Sequence, residues 1–307
     1  MTDLIFTDPG IDDFLALTHY AKASSHDRHD QESYIVASAG NVSLEPVGDN
    51  LQYLLSLLKA PLLKGYLGSG GFVSEAPPET AASVHGENGL AELPVPPEGH
   101  KALGSLENLA KELTDLRSPL RVLFLSPLSD AYRFFAAYPH LREQIQEVWV
   151  MGGSFRTPGN INAYAEFNVY QDPAAFYAFS QWGLKTYLVG LDLTEALEFL
   201  LDEFVYSDTP LGATVKHCIE FYSRFHQQVD GFNGIYCHDV IAAALFLGQI
   251  PFETEPIKVT AVLENPIEER GRIIWSPDAA SSSYLVKVRD EQALKKLILE
   301  SITALAS

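Results

Sequence analysis

The sequence contains only two cysteines, Cys218 and Cys237, among its 307 residues. Two cysteines cannot build the disulfide framework that stabilises small secreted proteins, so the sequence favours a reducing compartment. No basic segment followed by an apolar stretch opens the chain, and no apolar run approaches the roughly 20 residues that a membrane-spanning helix needs. We therefore expect a soluble cytoplasmic protein with no membrane partner.

Positive charge is scarce, because 21 Lys and Arg residues face 40 Asp and Glu residues, and the formal net charge is −19. This balance argues against binding to nucleic acid or to an anionic membrane, since both carry negative phosphates. A small polar molecule or a cation remains compatible with the charge. With 47% hydrophobic residues, the chain can bury a large core.

Short apolar runs alternate with segments of helical period along most of the chain. The runs at 4–7, 34–38, 120–125, 148–151 and 186–191 predict buried strands, and 257–262, 272–275 and 284–288 predict late strands. Helices are predicted at 14–23, 48–58, 106–113, 129–137, 174–181, 210–229, 238–247 and 291–304. This order favours an α/β fold with a single open, mostly parallel (mixed) sheet flanked by helices, in one domain of residues 1–307.

One long segment, residues 69–100, interrupts this alternation. It holds five of the eighteen prolines and has no sustained periodicity. A loop of this length inside a compact domain is usually a lid or a binding loop, so we predict an active-site loop here. The segment includes "VHGENGL", whose His85 is a candidate binding residue. An incidental histidine on a surface loop is the alternative.

The stretch "IFTDPGIDDFLAL" at 5–17 places Asp8, Asp12 and Asp13 within six residues, where the first strand turns into a helix. Acidic residues are favourable at a helix N-terminus, where they cap free N–H groups. Three carboxylates so close together repel one another unless a cation or a polyol lies among them. Both interpretations, capping and metal binding, stay open on these residues alone.

Polar residues also follow other predicted strands. In open α/β sheets, ligands bind beyond the carboxyl ends of the strands. The candidates at these strand ends are Asn41 in "AGNVSLE", residues 125–130 in "LSPLSD", and Asn160, Glu166 and Asn168 in "MGGSFRTPGNINAYAEFN". Such side chains can donate to and accept from several hydroxyls, as a sugar requires, although each one alone is more typical of a turn or cap.

The segment "YCHDVIAAALFL" at 236–247 begins an apolar helix with His238 and Asp239. Asp239 is either a helix cap or a further metal ligand. His238 has an ordinary pKa near neutrality and can exchange a proton at physiological pH, although a lone histidine is more often structural.

Taken in order, "TDPGIDD", "AGN", "VHGENGL", "MGG", "GN…EFN" and "HD" resemble the calcium-dependent nucleoside hydrolases of the inosine–uridine-preferring type, from residue 4 to about 247. The resemblance implies hydrolysis of the N-glycosidic bond of ribonucleosides, in nucleoside salvage, by a homo-oligomer (a dimer or tetramer). It implies Ca²⁺ as cofactor, held by Asp8, Asp13, Asp239 and the carbonyl of Leu125. A shell of 6–8 oxygens suits Ca²⁺.

The resemblance also implies roles for the other residues. Asp8 takes a proton from water, and His238 helps the base to leave, with inversion at the anomeric carbon. Adjacent helical residues point about 100° apart, so Asp12 can face a ribose hydroxyl while Asp13 faces the metal. The remaining substrate contacts are assigned to Asn41, His85, Asn160, Glu166 and Asn168. Tyr222 and His226, four residues apart on one helical face, are candidates for the leaving group, or else Tyr222 packs and His226 is solvated.

The chain departs from the family pattern at three places. Phe6 stands where the family usually has an acid, residues 125–130 read LSPLSD where TGPLTN is common, and Val240 stands where proline is common. Two other functions remain open. One is an Asp-x-Asp phosphatase, although Phe6 occupies the place of its nucleophile. The other is a non-catalytic descendant that binds calcium and a nucleoside or sugar.

Overall fold

A computed structural model describes residues 1–27, 32–74, 80–95 and 101–304 of the chain. Eleven strands lie in these described ranges: β1 (Thr2–Thr7), β2 (Ser33–Ala37), β3 (Leu63–Leu67), β4 (Leu120–Phe124), β5 (Ile145–Met151), β6 (Thr186–Val189), β7 (Phe199–Leu200), β8 (Gly234–Ile235), β9 (Glu253–Val262), β10 (Ile273–Pro277) and β11 (Ser283–Lys287). The strands β7 and β8 form a small antiparallel pair, and the other nine form one sheet.

Twelve α-helices occur in the same ranges: α1 (Ile11–Asp27), α2 (Leu44–Leu58), α3 (Ala82–His85), α4 (Leu106–Leu116), α5 (Ser129–Ala137), α6 (Pro139–Arg142), α7 (Phe167–Gln171), α8 (Pro173–Ser180), α9 (Leu191–Thr194), α10 (Pro210–Val229), α11 (His238–Phe246) and α12 (Glu291–Ala304). None of the helices in the described part of the chain combines the length and the apolar character that crossing a membrane requires.

The nine-stranded sheet has the order β10-β9-β11-β6-β5-β4-β1-β2-β3. Every pairing is parallel except the two that β9 makes with β10 and β11. The predicted single, mostly parallel (mixed) sheet is therefore confirmed. The assignment of residues 1–307 to one domain stays a prediction.

The predicted long elements agree with the structure to within a few residues at their ends, but the sequence missed β3 and the shortest helices. β3 is an edge strand with the sequence LKGYL, in which only two positions are buried. Because an edge strand needs fewer apolar residues, it gives little sequence signal. Residues 69–100 are not wholly irregular, since they include α3. Residues 75–79 and 96–100 of that predicted loop lie outside the described residues.

The two faces of the sheet carry separate hydrophobic cores, and β1 contributes to both. Ile5 packs into one core, while Leu4 and Phe6 pack into the other. Side chains alternate between faces along a strand, so a central strand that is buried on both faces must be apolar throughout. The Phe6 ring lies 5.3 Å from that of Phe124 and 6.3 Å from that of Phe134, centroid to centroid.

The chain order reverses beside β1. From β1 the sheet grows through β2 and β3 on one side, and through β4, β5 and β6 on the other. Loops leave the sheet in opposite directions at such a switch point and open a crevice between the carboxyl ends of two neighbouring strands. Here these strands are β1 and β4, so the residues that follow Thr7 and Phe124 border the crevice.

We expect Phe6→Ala to lower the free energy of unfolding by about 3–5 kcal/mol, because it leaves a cavity among buried aromatic rings. Urea denaturation of the variant and the parent protein measures this loss. Val205→Ala is the control, since Val205 is 59% exposed and its truncation should change stability by no more than about 0.5 kcal/mol. A loss as small as that of the control would contradict the structural role given to Phe6.

Candidate active site

A cavity of about 420 Å³ opens at the carboxyl ends of the strands, beside the switch point. Its wall contains most of the side chains selected from the sequence: Asp12, Asn41, His85, Leu125, Asn160, Glu166, Asn168, Tyr222, His226, His238 and Asp239. The two remaining candidates, Asp8 and Asp13, are buried and bonded to Asn41 on this wall. The structure thus brings together residues that are up to 231 positions apart in the chain, from Asp8 to Asp239.

Asp13 is fixed by four donors around the turn from β1 into α1. Its Oδ1 accepts hydrogen bonds from the hydroxyl of Thr7 and from the N–H of Asp8, 3.1 Å away. Its Oδ2 accepts from the N–H of Gly10 and from Nδ2 of Asn41, both at 3.1 Å. The carboxylate is therefore held in one orientation before any ligand arrives.

Asp8 is only half satisfied. Its Oδ2 accepts a short hydrogen bond, 2.6 Å, from the N–H of Asn41. Its Oδ1 is buried and has no hydrogen-bond partner among the described residues. A buried carboxylate oxygen without a donor is costly, because it has lost its water and gained nothing in return. Such an atom is suited to contact a bound ligand.

Three carboxylates lie close enough to share one cation. One oxygen each of Asp12, Asp13 and Asp239 lies within 4.8 Å of the others, and all three residues are buried. This acidic cluster could bind a metal ion. The cluster includes Asp12, which the sequence analysis assigned to a ribose hydroxyl. The assignment of Asp8, Asp13 and Asp239 as the metal ligands stays a prediction.

Burial raises the pKa of all four carboxyl groups. The pKa of Asp12 is raised to about 6 by desolvation, and that of Asp13 to about 7 by desolvation and by the charge of Asp12. The pKa values of Asp8 and Asp239 are raised for the same two reasons, with neighbouring aspartates as the second cause. The protein alone thus leaves much of this negative charge without compensation, and a cation at this place would restore the ionised forms.

Leu125 directly follows β4 and lines the cavity, and its carbonyl is the candidate ligand. It accepts a hydrogen bond of 3.0 Å from Nδ2 of Asn168, which also reaches the carbonyl of Met151 at 3.3 Å. A carbonyl oxygen has two lone pairs, so this bond leaves one for another ligand. Asn168 therefore fixes the ends of β4 and β5 relative to each other.

Glu166 caps the first turn of α7 on the cavity wall. Its Oε1 accepts from the N–H of Asn168 at 2.7 Å, and its Oε2 accepts from Gly153 at 3.0 Å and Val169 at 3.1 Å. Burial nevertheless raises its pKa to about 7. Asn160 closes the same loop, since its Oδ1 accepts from the N–H of Phe167 at 3.0 Å. Both residues therefore shape the loop as well as lining the cavity.

His85, from the segment predicted as an active-site loop, joins the first acidic turn. Its Nδ1 accepts a hydrogen bond of 3.1 Å from the N–H of Ile11, so Nε2 carries the proton of the neutral ring. This Nε2 lies 3.9 Å from Oδ1 of Asp12. Burial lowers the pKa of His85 to about 4. Thr80, Ala81, Ser83, Val84 and His85 thus line the cavity, with His85 beside the acidic cluster, and the assignment of residues 69–100 as an active-site loop stays a prediction.

His238 begins α11 and contacts Thr194 at the end of α9. Its Nδ1 lies 2.8 Å from the Thr194 hydroxyl oxygen. Burial, followed by the nearby His226 and His85, lowers its pKa to about 3, so the ring is neutral at physiological pH. When the Thr194 hydroxyl donates, Nε2 carries the proton and can donate it to a bound molecule.

Tyr222 and His226 lie on one face of α10 and both border the cavity. Tyr222 is 3% exposed and His226 is 4% exposed, so the alternative that His226 is solvated is wrong. Their ring centroids are 4.5 Å apart, and Tyr222 also lies 5.5 Å from the ring of His85. This face of α10 therefore forms part of the cavity wall.

Outside the predicted loop, sequence reasoning missed three polar residues of the cavity wall, Glu195, Asp230 and Tyr236. Burial and the charges of Asp230, Glu166 and Asp192 raise the pKa of Glu195 to about 7. Asp230 stands four residues after His226 and bonds to it, a spacing that was visible in the sequence. Glu195 follows a four-residue helix that gave no periodic signal.

Comparisons with known proteins agree with this architecture. Residues 4–296 match the family model described as inosine-uridine preferring nucleoside hydrolase. The chain is 30% identical over 259 residues to the pyrimidine-specific ribonucleoside hydrolase RihA of Salmonella enteritidis, which covers 82% of this chain and 81% of that protein.

Two solved structures share the fold. A purine-preferring ribonucleoside hydrolase from Gardnerella vaginalis superposes with a TM-score of 0.85 at 23% identity, over 100% of this chain and 99% of that one. The plant nucleoside hydrolase PpNRh1 superposes with a TM-score of 0.83 at 21% identity, over 99% of each chain.

We expect Gly40→Ala to displace the carboxylate of Asp8, because an added Cβ would lie 2.8 Å from Cγ of Asp8 and 2.8 Å from Pro127 Cδ. The stabilisation of the parent protein by a divalent cation, measured as a rise in Tm, should be lost in this variant. Gly71→Ala is the matched control, because its Cβ would meet only the exposed end of Arg133, at 3.2 Å. An equal cation-dependent rise in Tm for both variants would contradict the expected displacement.

Proposed function

Since the chain belongs to the inosine-uridine preferring nucleoside hydrolase family and is an N-glycosidase that hydrolyses ribonucleosides, we propose that it does so with a calcium ion bound in the acidic cluster. The products are ribose and the free base. The observation that carries the calcium assignment is the unpaired, buried Oδ1 of Asp8 beside a group of buried aspartates. The same wall also holds amide, imidazole and phenol groups, which suit a sugar and a base.

The donor set fits calcium better than zinc. Asp8, Asp13, Asp239 and the carbonyl of Leu125 offer only hard oxygen atoms, and Ca²⁺ takes 6–8 such ligands, water and substrate hydroxyls included. The acidic cluster contains no cysteine or histidine, the ligands that structural zinc sites usually use. When bound, Ca²⁺ supplies a fixed positive charge that attracts hydroxyl and water oxygens and lowers the pKa of water.

In this proposal Asp8 is the general base. Asn41 holds its carboxylate through Oδ2, which orients the group to receive the proton from the attacking water. The sugar passes through an oxocarbenium-like state, as in other glycosyl transfers, and the buried carboxylates stabilise the positive charge that develops on it. Direct attack by water inverts the anomeric carbon.

The ribose is held by the polar wall of the cavity. Asp12 accepts from a ribose hydroxyl, and the other hydroxyls bond to Asn41, Asn160, Glu166 and Asn168. A site built around hydroxyls rejects a substrate without one, because its own buried groups are then left unpaired. The net negative charge of this wall also opposes a 5′-phosphate, so the substrate is a ribonucleoside and not a nucleotide.

The base leaves toward the part of the cavity wall that contains His238, Tyr222 and His226. His238 donates a hydrogen bond or a proton to the departing base. This wall also includes Phe225 and Tyr236, whose aromatic rings suit a flat purine or pyrimidine. The named relatives include a pyrimidine-specific and a purine-preferring enzyme, so we propose a broad inosine–uridine preference.

The proposed setting is the cytoplasm, where the two free, buried cysteines stay reduced. The only partner proposed besides further copies of the chain is the small-molecule nucleoside, with no nucleic acid and no membrane. The proposed assembly is a homo-oligomer, either a dimer or a tetramer. Light scattering on the purified protein tests the assembly, and a molar mass of one chain would reject it.

We expect metal-free protein to have no measurable turnover with a ribonucleoside panel and to recover activity on addition of Ca²⁺. Asp8→Ala should abolish turnover and weaken calcium binding, measured by calorimetry. Asp49→Ala removes the same charge from an exposed position of α2 and should leave both unchanged. Full turnover in excess chelator, by protein that metal analysis shows to be empty, would rule the calcium requirement out.

We expect His238→Ala to lower kcat on inosine and uridine by on the order of 10²-fold, the usual effect of losing a general acid. The same variant should act almost normally on p-nitrophenyl riboside, because its leaving group departs without a proton. His140→Ala, a change at an exposed position of α6, is the control. Equal losses on natural and activated substrates would show that His238 acts on the sugar or on the fold instead.

A further inference from the structure

Arg270 lies between β9 and β10 and has one of the largest fully buried side chains of the protein, with 1% of its surface exposed. In the described part of the chain its guanidinium bonds only to backbone carbonyls. Nε donates to the carbonyl of Tyr170 at 2.8 Å, and Nη2 donates to that of Gln171 at 3.0 Å. Nη1 is buried and has no hydrogen-bond partner among the described residues. A guanidinium that is buried without a carboxylate is costly, so this is not an ordinary structural ion pair.

The two carbonyls that Arg270 holds are at the C-terminal end of α7. This helix has only five residues, and the last four carbonyls of any helix have no partner within it. Arg270 supplies donors to two of them and places a positive charge at the negative end of the helix. Because a helix of one turn is not stable by itself, the orientation of α7 depends on such outside contacts.

The backbone beside Arg270 holds the loop that leads into α7. Gly271 has a φ of +79°, and a Cβ at this position would lie 2.7 Å from Cα of Tyr170, so only glycine allows the two backbones to approach so closely. Asn162 donates from Nδ2 to the carbonyl of Arg270 at 2.9 Å, and its Oδ1 accepts from the N–H of Ala165 at 2.9 Å. Residues 270 and 271 thus hold this segment both before α7 and at its end.

The helix α7 carries Asn168 into the cavity, whereas Arg270 does not line it. Nδ2 of Asn168 donates to the carbonyls of Leu125 at 3.0 Å and Met151 at 3.3 Å. Its Oδ1 has no hydrogen-bond partner among the described residues and can accept from a ribose hydroxyl. The place of this amide is therefore determined by the placement of a single turn of helix.

We propose that Arg270 is a positioning residue, which holds the end of α7 and thereby places Asn168 against the ribose. This inference rests on the proposed function, since it assumes that a ribonucleoside occupies the cavity. Arg270 acts on the sugar only through α7 and has no role in the departure of the base. The alternative is that Arg270 contributes to stability alone.

The first test is Arg270→Met, which keeps much of the apolar stem and removes both donors to α7. We expect kcat/KM on inosine to fall by on the order of tenfold or more, because a small displacement of a binding group is costly in the transition state. The loss should be equal on p-nitrophenyl riboside, since both substrates carry the same sugar. Calcium binding, measured by calorimetry, should stay close to that of the parent, because the aspartates lie on other elements.

Arg272→Met is the matched control for this variant. Arg272 stands two residues further along, and its side chain is 40% exposed and pairs with Glu269. The control removes the same group from the same segment without touching the carbonyls of α7, and it should keep the parental kcat/KM. All variants are assayed well below their measured Tm.

A double-mutant cycle separates positioning from stability. If Arg270 acts through Asn168, Arg270→Met should cost much less in an Asn168→Ala protein than in the parent, because the group it positions is already gone. A purely structural role would give the same factor in both backgrounds. Asn162→Ala, at a half-buried position, keeps the guanidinium and frees the loop before α7. It should show a smaller loss of the same kind, and the same cycle can be run with it if Arg270→Met does not fold.

The outcomes separate this inference from the function on which it rests. If the parent protein hydrolyses neither riboside with calcium present, the proposed function fails. If the parent is active and both Arg270→Met and Asn162→Ala keep its kcat/KM, only the positioning role fails. An equal factor of loss with and without Asn168, or a loss on inosine that p-nitrophenyl riboside does not share, would also overturn that role.

Discussion

The burial of four carboxyl groups around one point is the constraint on which the rest of this structure depends. Burial raises the pKa of Asp8, Asp12, Asp13 and Asp239, neighbouring aspartates raise it further in all of them but Asp12, and all four are almost inaccessible to solvent. The protein tolerates this repulsion because the turn after β1 surrounds Asp13 with donors and because strong hydrophobic cores lie beneath on both faces of the sheet. A cation at this place would relieve the repulsion, and stability and ligand binding would then be coupled in one place.

The sheet and the long helices were readable from the sequence because they are buried and periodic. Strands such as β4 and β5 lie in the middle of the sheet, and their apolar runs have few other interpretations. Edge strand β3 and the short helices were missed, since only a few of their residues face a core. A short helix is determined by its tertiary contacts, which one sequence does not display.

The candidate site was predicted in a different way. Strand ends identified the segments, but chain order cannot say which of them meet, and the resemblance to a family supplied the grouping. The sequence could not show that both oxygens of Glu166 are taken by backbone N–H groups, or that His226 is buried. It also gave no sign of Glu195, because an isolated acid after a short helix has no distinctive pattern. The pair of His226 and Asp230 was the one missed feature with a usable signal, its spacing of four residues on a helix.

The central position of β1 implies that parts of the protein unfold locally in a definite order. This strand has parallel neighbours on both sides and side chains in both cores, so we expect its backbone amides to be among the slowest to exchange with solvent. Asp8 follows it directly, whereas His85 reaches the cavity from the four-residue helix α3, which packs on α10. We therefore expect residues 80–85 to unfold locally more readily than the part of the cavity that holds the acids. Hydrogen exchange measures this order, because backbone amides should exchange slowest in β1 and faster in α3.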